Sequence, residues 1–272
     1  MRYFEKEFET GGFTATLQCY VRDVSEDCTF KRYPAVIICP GGAYTVTCGR
    51  EAEPVALRFL GEGFNAYVLH YSCRPAREPV QITQMAMAMK FIKDNAIDHN
   101  TDSNKITVLG SSAGGHLAAH YLAMHHTQWL SETTGIDNET LKPANGVLMW
   151  PVINAFEYQH ADSFKNLLGE RYEDEKERER VSVDRLVTPH FPRTFLLHTR
   201  NDTAVTVENS LLLAKAMADN KVQFEMHVYE TGPHGTVFAN ELTMSTRCAG
   251  RHLSERSSTW FRLALNFLNE MP

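Results

Sequence analysis

Long apolar runs are missing from this 272-residue chain, and so is any surplus of basic charge. No stretch approaches the roughly 18 apolar residues that a membrane-crossing helix needs, so no membrane segment is expected. The first ten residues, MRYFEKEFET, are charged throughout and lack an apolar core, which predicts no secretory leader. Lys and Arg number 27 against 33 Asp and Glu, a formal net charge of −6. That balance argues against nucleic acid and anionic membrane as partners, since both attract basic surfaces. Cysteine is sparse: Cys19, Cys28, Cys39, Cys48, Cys73 and Cys248 are scattered, with no CxxC pair. In a chain of this length they read as reduced, mostly buried thiols rather than a disulfide framework, and no metal site is expected. With 16 Gly, 11 Pro and no fixed-period repeat, collagen-like and solenoid architectures drop out. The expected address is cytoplasmic, and nothing in the sequence sets the oligomeric state.

What is present is an ordinary globular composition, 43% apolar and 22% charged. Short apolar runs alternate with amphipathic segments. Residues 12–22 alternate in character and predict an antiparallel strand near the N-terminus. Residues 34–40 (PAVIICP) form a nearly unbroken apolar run, the habit of a strand buried on both faces of a parallel sheet. Further strands are expected at 64–71, 105–109, 146–150, 194–198 and 222–229. Helices are expected at 53–62, 79–95, 113–125, 206–219 and 255–270. The Met-rich stripe Met85, Met89 at helical spacing reads as core packing. Alternating strands and helices predict an α/β fold, a mostly parallel central sheet flanked by helices on both faces, in one domain spanning 1–272. Residues 154–192 break the rhythm. They read as an insertion over one end of the sheet, lid-like or cap-like, whose charged run 173–180 is a solvated helix face.

Gly110-Ser111-Ser112-Ala113-Gly114 matches G-x-S-x-G, with a buried strand running in and an Ala- and Leu-rich helix running out. In that setting small neighbours permit a sharp turn that exposes the central serine, and the helix amides favour a developing negative charge. Ser112 is therefore the candidate nucleophile; Ser111 competes but lacks the central position. A serine hydroxyl needs a general base oriented by an acid. Asp202 follows the strand 194–198, and His234 follows the strand 222–229 between Pro233 and Gly235. Alone, Asp202 also fits a turn or a helix N-cap, and His234 an ordinary loop residue. Their order after Ser112, each at a later strand end, makes them the candidate acid and base. Backbone amides for an oxyanion are expected from Ala113, which follows the serine, and from the Gly42-Ala43 stretch after the strand 34–39. No cofactor and no metal are called for.

With those motifs in place the sequence resembles the α/β-hydrolase esterase/lipase superfamily, and most closely its bacterial acetyl esterase or acetyl xylan esterase-like branch. The resemblance rests on C-P-G-G-A-Y (39–44), G-S-S-A-G-G-H (110–116), H-T-R-N-D-T-A-V (198–205) and G-P-H-G (232–235). It departs from the pattern at Pro40, where related lipases often carry His, at Ala43 in place of a third Gly, and at Thr206 in place of Pro. It implies Ser112, His234 and Asp202 as nucleophile, base and acid, and a serine carboxylic-ester hydrolase removing small acyl groups, acetyl above all, from sugars or oligosaccharides. Two other functions fit the same residues. One is an amide hydrolase of the arylformamidase or peptidase kind. The other is a catalytically inactive hydrolase used as a binding module, against which the intact Ser-Asp-His set argues.

Overall fold

The computed structural model describes residues 1–27, 29–244, 246 and 255–270; Cys28 and Cys248 lie outside them. Eight strands make one sheet: β1 (Arg2–Thr10), β2 (Phe13–Val21), β3 (Tyr33–Cys39), β4 (Asn65–His70), β5 (Thr101–Ser111), β6 (Asn145–Met149), β7 (Thr194–Thr199) and β8 (Phe224–Tyr229). Their spatial order is β1-β2-β4-β3-β5-β6-β7-β8. The first three in that order pair antiparallel, and every pair from β4 onward is parallel. This is the expected mostly parallel sheet, and each predicted strand is found. Ten α-helices accompany it among the described residues: α1 (Glu53–Gly61), α2 (Val80–Asp94), α3 (Ser112–Met124), α4 (Gln128–Thr134), α5 (Asn138–Leu141), α6 (Ala161–Leu168), α7 (Glu175–Glu179), α8 (Glu208–Asp219), α9 (Glu255–Ser258) and α10 (Trp260–Asn269).

Alternation along the central strands divides the core in two. Ile37, Tyr67, Leu69, Val108, Leu148 and Leu196 face one side, packed with Met85, Met89 and Leu117 of α2 and α3. Val36, Ile38, Val68, Leu109, Val147 and Leu197 face the other, packed with Phe59 of α1 and Trp260, Phe261 and Leu268 of α10. Period-two strands place successive side chains on opposite faces, so a strand covered by helices on both sides must be apolar throughout. Each such Leu, Ile or Phe contributes about 1.5–3 kcal/mol by leaving water. The Met stripe is core, as read from its spacing.

Three features escape the sequence pattern. Strand β1 is one: of its nine residues RYFEKEFET only Phe8 is buried, and charge masks the alternation. It pairs residue by residue with β2 from Arg2↔Val21 to Thr10↔Phe13, across a turn at Gly11 and Gly12, both with positive φ. Second, the short helices α4 and α5 follow N-caps at Thr127 and Asp137, whose side chains accept backbone N–H bonds. Third, the segment expected as one helix over 255–270 is two, interrupted at Thr259. There the hydroxyl and amide both bond to Arg256 O, a spacing of three residues instead of four.

Candidate active site

Strand β5 ends at Ser111 and α3 begins at Ser112, so the turn between them has no spare residue. Ser112 is held at φ +53, a left-handed conformation that side chains other than glycine's occupy rarely. Room for it depends on glycine. A Cβ placed on Gly41 would lie 2.8 Å from Ser112 Cβ and 2.6 Å from Glu51 Oε2, so only a glycine lets the loop after β3 come this close.

The structure brings the three residues singled out by strand order together. Ser112 Oγ is 2.9 Å from His234 Nε2, and His234 Nδ1 is 2.6 Å from Asp202 Oδ2. A carboxylate only accepts, so Nδ1 carries the proton and Nε2 is free to accept from the serine hydroxyl. Asp202 is itself fixed: Oδ1 accepts from the Ala204 and Val205 amides at 2.9 and 3.0 Å. Burial raises its carboxyl pKa, but bonds to His198 and His234 outweigh that and hold it well below the usual carboxylate range. The His198 ring lies fully buried, its Nε2 3.6 Å from Asp202 Oδ2. The edge of Trp150 faces His234 at 6.3 Å between centroids.

Ser111, the competing serine, has different surroundings. It is fully buried, and its hydroxyl donates to Glu51 Oε2 at 2.6 Å. The loop after β3 sorts its amides in the same way. Gly41 N donates to Glu51 Oε2 at 2.8 Å, whereas the amides of Gly42 and Ala43 meet no acceptor among the described residues. Gly42, Ala43 and Tyr44 all have positive φ, at 136, 54 and 56°. Ala113, second residue of α3, has no carbonyl within its own helix to pair with. The three amides read from the sequence for an oxyanion, those of Gly42, Ala43 and Ala113, are thus among the unpaired ones.

Two side chains that the sequence did not single out hold this loop. Asn166 of α6 donates to Ala43 O at 2.8 Å and to Thr45 Oγ1 at 3.0 Å. Tyr44 OH lies 2.8 Å from His116 Nδ1, and His116 Nε2 lies 2.7 Å from Val181 O. A carbonyl accepts, so Nε2 carries the proton and Nδ1 takes the tyrosine's. Burial pushes His116 down to about 4, which keeps it neutral. No spacing signal marks Asn166, and His116, though it closes the motif 110–116, shows no role there; the folded insertion puts both to use.

The insertion 154–192 contains α6, α7 and two short 3₁₀ turns. Its Phe164, Leu167, Leu168, Val181 and Val183 are buried in the same core as α2 and α3. Its charged run is solvated, as expected, with Arg171 and Arg180 paired to Glu78 and Glu177. His160, at the start of α6, is depressed by burial first and then by the charge of His234, within whose reach it lies. Among the described residues no group of three or more His, Cys, Asp or Glu side chains is placed to hold a metal ion.

The BD-FAE family model matches residues 24–217. The chain belongs to that family. Among curated relatives, Endo-1,4-beta-xylanase B of Butyrivibrio fibrisolvens is 32% identical over 254 residues, covering 90% of this chain but only 38% of that protein. Among solved structures, the carboxylesterase Cest-2923 from Lactobacillus plantarum WCFS1 superposes with a TM-score of 0.87 at 28% identity, over 99% of this chain and 98% of that one. The acetyl ester-xyloside bifunctional hydrolase from Caldicellulosiruptor lactoaceticus gives 0.77 at 34% identity, over 94% and 89%. The expected α/β-hydrolase esterase class agrees with this BD-FAE membership, and the sheet is that of the α/β hydrolases.

Proposed function

We propose that this BD-FAE protein is a serine esterase that removes small acyl groups, acetyl in particular, from sugars or xylo-oligosaccharides. The observation that carries the reading is the unbroken relay from Ser112 Oγ through His234 to Asp202, at 2.9 and 2.6 Å. Ser112 Oγ attacks the ester carbonyl while its proton passes to His234 Nε2. The carbonyl oxygen becomes an oxyanion against the amides of Gly42, Ala43 and Ala113. As the C–O bond to the sugar breaks, His234 returns the proton to the departing alcohol and the acyl group stays on Ser112. Water then attacks the acyl-enzyme, giving up a proton to His234, and acetate leaves with Ser112 restored. Asp202 stays ionised throughout, orienting the ring and stabilising its charged form. The small-acyl preference is supported by the insertion, which lies packed against the core with a charged outer face rather than a broad apolar one. It is also supported by the relatives, which include an endo-1,4-beta-xylanase and an acetyl ester-xyloside hydrolase.

A fluorophosphonate should label Ser112 stoichiometrically, and kcat/KM should fall from p-nitrophenyl acetate through butyrate to octanoate, with acetylated xylo-oligosaccharide turned over. A rise toward octanoate overturns the small-acyl preference. Faster turnover of N-formylkynurenine than of any ester moves the protein to the amide hydrolases, and absence of labelling removes the serine mechanism.

A further inference from the structure

One carboxylate outside the relay touches the oxyanion loop and the nucleophile turn, and reaches the histidine loop through Arg50. Glu51 sits in the 3₁₀ turn Gly49–Glu51 and is only 1% exposed. Its Oε2 accepts from Gly41 N at 2.8 Å and from Ser111 Oγ at 2.6 Å. Its Oε1 pairs with Arg50 Nη2 at 2.7 Å. The Arg50 guanidinium also donates from Nη1 to Gly235 O, next to His234. The chain of contacts therefore runs from the oxyanion loop, through the residue before the nucleophile, to the residue after the base. By claiming the Gly41 amide, Glu51 turns the following peptides and leaves Gly42 N and Ala43 N unpaired. By holding Ser111 it anchors the turn at which Ser112 is strained.

Burying a carboxylate is unfavourable unless it is paired and fully hydrogen-bonded, and an aliphatic side chain would fill the same space at less cost. A charge retained here is accounted for by what it aligns. We infer that Glu51, with Arg50, is a positioning residue that sets the oxyanion loop and the histidine loop relative to Ser112; the inference rests on the serine-esterase reading above. Neither side chain touches the substrate or moves a proton in the reaction. Removal should therefore weaken transition-state binding and leave ground-state binding alone.

The test compares wild type with Glu51→Ala, Glu51→Gln and Arg50→Met on p-nitrophenyl acetate, beside fluorophosphonate labelling and thermal melts. One oxyanion donor is worth about 10²–10³ in kcat, so a misplaced loop in Glu51→Ala should lose about 10²-fold in kcat with KM within about 3-fold. Glu51→Gln keeps an acceptor for Gly41 N and should recover about 10-fold of that loss. Arg50→Met leaves Glu51 in place but frees Gly235 O, and should lose about 10-fold. Affinity for a trifluoromethyl ketone, which forms a tetrahedral oxyanion adduct, should fall in step with kcat/KM, while labelling of Ser112 still goes to completion. A folded Glu51→Ala within 3-fold of wild type overturns the inference. So does a loss that appears in KM alone, or in melting temperature with ketone affinity unchanged. Should Glu51→Ala fail to fold, Arg50→Met decides on the same readouts. A wild-type protein that neither labels nor turns over ester overturns both this inference and the esterase reading; an active wild type with an equally active Glu51→Ala overturns this inference alone.

Discussion

The reacting corner and the shell around it are built on opposite plans. Ser112, Asp202 and His234 leave the ends of β5, β7 and β8, neighbouring regions of one parallel sheet, in short loops. The shell comes from the irregular stretch 40–52 and the insertion 154–192, joined through Asn166 and through Tyr44 and His116, while Glu51 ties the stretch 40–52 to the nucleophile turn. A sheet edge fixes where its loops begin, so the corner gains its geometry from the fold. The shell has no such frame and gains its geometry from buried polar contacts, one residue at a time. The difference teaches that the two can be damaged separately.

Ser112→Ala is the largest blow to the corner alone. It should lower kcat on the order of 10⁴-fold while the melting temperature stays within a few degrees of wild type. A folded variant with near wild-type turnover would place the chemistry elsewhere.

Acid attacks the shell instead. Burial holds His116 at about 4 and His120 at about 3; His116 packs against Phe164 and Val181 of the insertion, and His120 lies beside His116 and Arg180. The unfolded chain binds those protons near pH 6.5, before the folded one does. Their contribution to stability is therefore complete above about pH 6.5 and is lost as pH falls toward 4. The slope grows from half to nearly all of about 1.4 kcal/mol per pH unit and histidine over this range, so the pair should remove about 3 kcal/mol between pH 6.5 and 5. His120→Leu should lower the slope measured in urea melts at the two pH values by one histidine's share, leaving those of His116 and the likewise buried His125. A variant retaining the full wild-type slope would assign the acid loss to other groups.

Asn166→Ala tests the seam between corner and shell. Loss of its bonds to Ala43 O and Thr45 should reduce kcat about 10-fold with little change in KM. Equal changes in both constants would make α6 a wall of the binding site rather than a brace for the loop.

The same division governs what the sequence reveals. Distance along the chain is not the obstacle: Ser112 and His234 are 122 residues apart, Ser111 and Glu51 only 60. The first pair is legible because apolar periodicity predicts the strands and the strands predict the loops. Glu51 and Arg50 stand in a 3₁₀ turn without periodicity, where no pattern of residues separates a buried charge from an exposed one. Strand β1 was hidden for a related reason. Phe8 and the half-buried Phe4 are the inward residues of a ribbon whose other positions are mostly charged. Along 154–192, expected as a lid-like or cap-like insertion, the amphipathic α6 shows as a brace for the loop after β3 only once Phe164 and Leu167 have a core to enter.

Strand β1 has a consequence beyond the hairpin it closes. It ends the sheet, so one side of its backbone offers hydrogen bonds to any passing extended chain, the usual seed of aggregation. Arg2, Glu5, Lys6, Glu7 and Glu9 crowd that rim with charge, and a second strand could add itself only by burying them. The residues that obscure β1 as a strand are the ones that make joining edge to edge costly.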